Sequence, residues 1–502
     1  MPTRRSKPRQ SSIYTCHAGC SQETPRFPRK TELMTTQVTF VKPTGQVRLG
    51  YKKFLRLKRA QDVIEALAWA TVLAVTLMFL LDGGLKAVTD VPSALNAVSR
   101  WTALVGTDLL LIHMLLIARV PWIDKFYGHD RATLAHKKLG KPVLYFVVAH
   151  FLASLISFAI TDGKNLVDEM LNLVLNVPDM WTAAIGLFLM LAVVVTSLNF
   201  ARRKMSYEAW YIVHVMSYIA VLAAVPHQFS TGSDIHGKPV QTVFWVTLYL
   251  FVLFNLAWYR VLSPLIRGLR LGLRVQSVVP ASSDSVSIYL EGKNVAKLGG
   301  KAGQFYMLRV LTPVAWWRPH PFSISAAPNS KYVRFTVGKR GDDTGALQHI
   351  KPGTKVLLEG PYGVFTEERR TKEKVVLIAS GIGIPPIRAL AESMAARPGD
   401  VTVIYRTRNA ADAALLEEVQ VLCRHRGFKL EVMSGPRANH SSWMNADNTG
   451  RSDQVRLAEI APKLVDSDVY ICGPTGWTHN VEKSVLRAGT PANQIHAEEF
   501  AW

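Results

Sequence analysis

Residues 136–150 read HKKLGKPVLYFVVAH, and residues 214–227 read HVMSYIAVLAAVPH. Each stretch begins and ends on histidine and is largely apolar in between. On an α-helix the first gap rises about 21 Å and the second about 20 Å. Both are close to four turns, so the two histidines of a pair point roughly the same way. Two parallel helices of this kind would set His136 level with His214, and His150 level with His227. A bilayer core about 30 Å thick has room for both levels. Imidazole is a good axial ligand for haem iron. The pattern therefore predicts two bis-histidine sites stacked across a membrane, an electron wire. One histidine alone in a membrane helix is more often a hydrogen-bonded polar residue than a ligand. Four at nearly matched spacing are another matter, because ionisable groups in a membrane are costly and mark function.

Working outward, six apolar segments cover about 63–81, 101–118, 142–160, 181–200, 209–226 and 240–259. Their ends are expected to extend into polar flanks. Basic residues collect in alternate loops: Arg119 to Lys138, Arg202 to Lys204, and Arg260 to Arg274. The other loops carry only Lys86, Arg100, Lys164 and Lys238. By the positive-inside rule both termini face the cytoplasm, in a multi-pass protein of the cell (inner) membrane. The third and fifth helices then run parallel, as level pairing of the histidines requires. The basic loops would lie near the inner haem and its propionates, or serve only to set topology. Asp108 and His113, in the second segment, are assigned no role.

At 502 residues, with a net charge of +22, the chain is too long for one domain. Its basic residues sit beside apolar segments and form no aromatic-interleaved patch, which excludes nucleic acid as the partner and points to membrane lipid. Residues 1–60 hold 14 Lys or Arg against Glu23 and Glu32, with no apolar signal core. They read as a disordered basic cytoplasmic arm whose last run, Lys52 to Arg59, can touch anionic lipid. Cys16-His17 with Cys20 is a weak metal motif, and Met34 offers an alternative start. The four cysteines suggest no disulfide framework.

After the membrane all-α six-helix bundle, expected over 61–262, the texture changes. Residues 270–368 alternate apolar and polar, as in Ser285–Leu290 and Tyr332–Val337, and predict an antiparallel β-barrel. Residues 372–502 alternate strands such as Val375–Ala379, Val401–Tyr405 and Val469–Cys472 with helices, predicting an α/β doubly wound nucleotide-binding domain. The polar segment 436–455 reads as a surface loop. Gly381-Ile382-Gly383-Ile384-Pro385-Pro386 follows a buried strand and opens a helix, where glycine lets the backbone approach a pyrophosphate. Arg406 and Arg408 end the next strand, where arginine suits a ribose 2′-phosphate and so NADPH; otherwise they are surface arginines. In Arg318-Pro319-His320-Pro321-Phe322-Ser323, an aromatic ring can stack on isoalloxazine and a hydroxyl can bond it. Otherwise the segment is an ordinary strand with a buried Phe322.

His320-Pro321-Phe322-Ser323 resembles the flavin-binding segment of NADPH oxidases and ferric reductases, relatives of ferredoxin–NADP reductases. Gly341-Asp342-Asp343-Thr344 resembles the flavin-phosphate element that follows, and Gly360-Pro361-Tyr362-Gly363 the turn before the nucleotide domain. Cys472-Gly473-Pro474 resembles the family's Cys-Gly-Pro beside the nicotinamide. The tail Glu499-Phe500-Ala501-Trp502 resembles one whose aromatic covers the flavin until nicotinamide displaces it, a role carried to Phe500. The four membrane histidines match the family's haem ligands in spacing. Two positions depart from the pattern: Pro385 stands where threonine is common, and Ser154 where dedicated superoxide-producing oxidases commonly have histidine.

The resemblance, covering about 50–502, implies a transmembrane flavocytochrome b. NADPH would reduce FAD, and electrons would pass by the His136/His214 haem and then the His150/His227 haem to an outer acceptor. Ferric chelate is the first choice of acceptor, because an exposed haem serves it without a specialised pocket. Oxygen reduced to superoxide, and a quinone or partner redox protein, are the alternatives.

Overall fold

The computed structural model describes residues 51–312, 316–448 and 450–500. Most of the expected N-terminal arm, with Cys16, His17 and Cys20, lies outside these residues. Its last ten do not. Residues 51–60, expected to be disordered, form the first turns of helix α1 (Tyr51–Leu81). The basic run is thus continuous with an apolar helix, which sets its conformation.

Five more long helices follow among the described residues: α2 (Val91–Leu116), α3 (His129–Asp162), α4 (Met180–Ser197), α5 (Tyr207–Ser230) and α6 (Pro239–Asn255). All but α2 belong to helical stretches long and apolar enough to cross a membrane. In α2 the buried Asp108 and the polar Arg100 and His113 lower the apolar content. Asp108 Oδ2 accepts from Thr71 Oγ1 at 3.0 Å, which ties α1 to α2.

The helices pack mainly in pairs. The α2 helix lies along α3, and α4 lies along α5. Gly186 permits the second pairing, because a Cβ there would stand 2.8 Å from the Ala220 carbonyl oxygen. The two histidine-bearing helices, α3 and α5, do not pack closely on each other. Pro142 and Pro226 lie inside them, each removing one backbone hydrogen bond.

Beyond α6 come a π-helical turn (Leu256–Leu262) and a short amphipathic helix (Ser263–Leu271). The next six strands are β1 (Arg274–Ser282), β2 (Ser285–Glu291), β3 (Phe305–Val310), β4 (His320–Ser323), β5 (Val333–Gly338) and β6 (Val356–Tyr362). The expected closed barrel is not what their pairing gives. They form two three-stranded antiparallel sheets, β1-β2-β5 and β4-β3-β6. At their edges the sheets are joined by the single bridges Arg274 with Lys355 and Ile324 with Phe335 and by a few backbone hydrogen bonds beside them, such as Val356 N–H to the Leu273 carbonyl and Ser325 N–H to the Arg334 carbonyl. Register shifts interrupt the β1–β2 and β3–β6 ladders.

The last segment is a five-stranded parallel sheet in the order β11-β10-β7-β8-β9, where β7 is Lys374–Ser380, β8 Val401–Arg406, β9 Lys429–Met433, β10 Ser467–Pro474 and β11 Ile495–Phe500. Its three central strands, β10, β7 and β8, are largely apolar and buried, while the edge strands β9 and β11 carry charged residues. The segment 436–455 is irregular but is not merely a surface loop. Trp443 and Met444 are fully buried, and Trp443 Nε1 donates to Ser484 Oγ at 3.1 Å.

Candidate functional site

The chain runs from β7 outward to β8 and β9, then returns to place β10 on the other side of β7. In such a sheet, ligands bind outside the carboxyl ends of the strands where the order reverses. Gly381–Gly383 leaves the end of β7, and Cys472-Gly473-Pro474 ends β10, so the two motifs share that crevice. Gly383 cannot be another residue at this approach, since a Cβ would lie 2.2 Å from the Cys472 carbonyl oxygen. Pro385 and Pro386 occupy the first turn of helix α7 (Ile384–Ser393), where no N–H is needed for the helix ladder.

The two arginines part company. Arg406 is buried, and its guanidinium donates to the carbonyls of Thr407, Met433 and Gly435. Arg408 is exposed. Arg406 thus holds the end of β8 together, and Arg408 is the one presented at the surface.

Parallel pairing sets Cys472 beside Glu498, Gly473 beside Glu499 and Pro474 beside Phe500. This brings the tail strand to the flavin segment, because Ser323 Oγ donates to Glu498 Oε1 at 3.2 Å. Ser323, Cys472 and Glu498 are all buried. Burial, reinforced by the nearby Glu498 carboxylate, pushes the Cys472 thiol well above its ordinary pKa. Cys472 is therefore an uncharged thiol, suited to lining the crevice rather than to nucleophilic attack. Sequence reasoning missed Glu498, for which parallel register with Cys472 is the only signal.

On β4, Phe322 is 8% exposed and belongs to the apolar core, as an ordinary strand residue would. Pro321 is half-buried in the same strand. His320 Nε2 lies 3.9 Å from Asp343 Oδ2. Burial lowers the His320 pKa, opposed by Asp343 and assisted by Arg318. Thr344 Oγ1 accepts from the Arg340 and Gly341 N–H groups, which shapes the turn before the helix Asp342–Leu347. Arg318 connects this region to the helices, with Nη1 2.6 Å from Asp343 and Nη2 3.0 Å from Glu208 at the start of α5.

The four membrane histidines fall on α3 and α5 as expected. The His136 and His214 rings face each other with centroids 6.2 Å apart and planes at 75°. Two imidazoles that each place a ring nitrogen about 2 Å from one shared metal ion have ring centres about 6–6.5 Å apart. The His136–His214 spacing would therefore suit one metal ion held between the two rings. Three of the four rings are also held through Nδ1, which leaves Nε2 for a metal. His136 Nδ1 lies 2.9 Å from the His113 carbonyl oxygen. His150 Nδ1 lies 2.9 Å from Ser99 Oγ and 3.1 Å from the Ser99 carbonyl oxygen. His214 Nδ1 lies 3.4 Å from Ser197 Oγ. The His113 ring stacks on His136 at 3.6 Å, and Trp210 stacks on His214 at 4.9 Å. None of these flanking residues was assigned a role from sequence.

Residues 102–225 match the family described as ferric reductase like transmembrane component. Residues 271–366 match an FAD-binding domain, and residues 377–483 an oxidoreductase NAD-binding domain. Among curated relatives, a flavohemoprotein of Chromobacterium violaceum is 30% identical over 235 residues, 44% of this chain and 57% of its own length. A flavohemoprotein of Vibrio cholerae is 28% identical over 215 residues, 41% and 52% respectively. The chain spans about half the length of the curated relatives it matches. The flavohem-like FAD/NAD binding domain of nitric oxide dioxygenase from Vibrio cholerae, a solved structure, overlaps 46% of this chain and 98% of its own, with a TM-score of 0.39 and 24% identity, too loose a likeness to carry weight. With the three matched domains in this order along its length, the chain has the ferric reductase/NADPH oxidase-type architecture, that of an NAD(P)H-dependent oxidoreductase.

Proposed function

We propose that this protein is a flavocytochrome b that moves electrons from cytoplasmic NADPH across the cell membrane to ferric chelates on the outer face. The observation that carries this reading is the facing pair His136 and His214 at 6.2 Å, repeated one interval along each helix by His150 and His227. When bound, FAD accepts hydride from NADPH and the two b-type haems pass single electrons onward.

The chain's own residues bind and orient. His136, His214, His150 and His227 would hold iron through Nε2, with the Nδ1 contacts of the first three orienting their rings. Gly381, with open space at its Cβ position, leaves room for the dinucleotide pyrophosphate at the start of α7, while Gly383 lets that turn close on Cys472, and Gly473 and Pro474 border the same crevice. Arg408 receives the 2′-phosphate. The β4 segment His320–Ser323 lies along the flavin, and the Thr344 turn lies beside its phosphates. Ser323, Cys472 and Glu498 line the place where nicotinamide and flavin would meet, with Phe500 at the end of the neighbouring strand β11. Arg318 keeps the flavin segment against α5, the helix that carries His214.

The test uses detergent-purified protein supplied with FAD and reduced anaerobically with NADPH, followed by haem absorbance. Reoxidation is then compared between ferric citrate and oxygen. Faster draining by ferric citrate is the expected result. Faster draining by oxygen with superoxide release makes the protein an oxidase, and haems that never reduce refute the path.

A further inference from the structure

A cavity of about 520 Å³ lies at the seam between the helices and the flavin domain. Five cations line it (Arg119, Lys125, Arg267, Lys301 and Arg369) against three carboxylates. Its walls come from the stretch just past α2, from the turn after α6 and from β6. That is the depth at which apolar helices end and lipid phosphates begin. Tyr259 lines it, as an aromatic at a membrane interface would. So does Leu57, from the basic run that opens α1.

Arg119 is the unusual member. Its backbone is in the left-handed region at φ 60°, a conformation that side chains rarely adopt and that persists only where the surroundings impose it. Its side chain is only 9% exposed. Nη1 donates to Glu359, which also receives Arg309 Nη2 at 2.8 Å, and the Tyr362 ring lies 5.8 Å from the guanidinium. Two arginines thus share one carboxylate, and Arg119 Nε, buried, has no hydrogen-bond partner among the described residues. The cavity carries excess positive charge and a spare buried donor. A phosphate oxygen supplies what both lack.

We propose that this cavity holds the phosphate headgroup of an anionic phospholipid from the leaflet facing the reductase. The lipid would sit where the helices meet the flavin domain and complete the charge balance of the seam. This inference rests on the membrane placement proposed above, but not on the electron path or its acceptor. A soluble phosphate monoester offers the same chemistry, so the test separates the two sources.

Full-length protein is reconstituted in nanodiscs of dioleoylphosphatidylcholine with or without dioleoylphosphatidylglycerol. Retained lipid is counted by native mass spectrometry after partial delipidation. The expected result is retention of phosphatidylglycerol over phosphatidylcholine by on the order of tenfold. The exposed pair Lys125→Gln with Lys301→Gln should bring that preference close to even. Arg119→Met should abolish it, and if that variant does not fold, the rim pair still decides. Equal retention of the two lipids by the wild type, or an unchanged preference in the rim variant, overturns the proposal. Thermal protection by inorganic phosphate with no preference for phosphatidylglycerol overturns the lipid source and assigns the cavity to a soluble phosphate. Failure to enter nanodiscs at all would instead refute the membrane placement.

Discussion

Ser99→Ala tests the haem reading at a residue that is not itself a ligand. Ser99 is 3% exposed, and its hydroxyl makes two contacts with one partner: Oγ lies 2.9 Å from His150 Nδ1 and donates to the His150 carbonyl oxygen at 3.1 Å. The Ser99 carbonyl oxygen lies 3.1 Å from the same Nδ1. With the proton on Nδ1, the two oxygens share it, and Nε2 keeps the lone pair that a metal needs. Alanine removes the hydroxyl and leaves the carbonyl, so the imidazole loses one of two ties. Partners of metal-bound histidines contribute about 10–100-fold in metal affinity, and with one tie kept the lower end applies, about tenfold or about 1.4 kcal/mol. The assay is transfer of haem from purified protein to excess apomyoglobin, with the haem that remains counted by pyridine haemochrome. The variant should lose about half its haem roughly ten times faster than the wild type, and keep the other half at the wild-type rate. Unchanged kinetics, or loss of both haems together, would refute the assignment of Ser99 to the His150 site.

Four further outcomes follow from the same geometry. His150→Ala should abolish reduction of ferric citrate while leaving NADPH-dependent reduction of a soluble dye by the flavin at the wild-type rate; surviving citrate reduction rules out the far site as the exit. Arg408→Ser should raise the KM for NADPH by roughly tenfold or more and leave NADH unaffected, since a charge-assisted hydrogen bond contributes about 1.5–3 kcal/mol, whereas Arg406→Ser should lower the melting temperature instead. Gly383→Ala drives a methyl group into the Cys472 carbonyl and should cost about 1–3 kcal/mol, read as a lower Tm together with weaker NADPH binding. Burial keeps His320 neutral in the folded protein, so the unfolded chain takes up its proton more readily; this contribution is intact above about pH 6.5 and lost as pH falls below it, and in thermal melts across that range His320→Gln should flatten the acid limb.

The sequence discloses most where chemistry and periodicity coincide. The histidine pairs were legible because intramembrane histidines are rare and four turns of helix align them, even though Pro142 interrupts the ideal helix on which that spacing was reckoned. The parallel sheet was legible from its uninterrupted apolar strands and the glycine turn. Strand closure was not, since alternation gives which face a side chain takes but not whether a ladder continues past a bulge. Burial of Arg406 was also hidden: two arginines at a strand end look alike until the carbonyls of Met433 and Gly435 are known to converge on one. Trp443 was lost in a polar segment whose composition outweighed its one large apolar anchor. Ser99, Ser197, His113 and Glu498 share a different reason. Each acts through a neighbour distant in the chain, and a single sequence does not show which residues meet.

The separation of α3 from α5 bears on how the protein is made. Each histidine helix has a partner packed along it, but across the gap the two histidine helices offer each other little backbone contact. The two hairpins still share an apolar core, in which Val221 of α5 and Met190 of α4 pack with Leu104 and Leu111 of α2, and on the proposed haem reading iron held from both sides would add a second tie between α3 and α5. On that reading haem would fasten the bundle as well as conduct. A cell short of haem would accumulate chains without that second tie, with buried histidines facing an open slot, and quality-control proteases would find such chains before any electron crossed them.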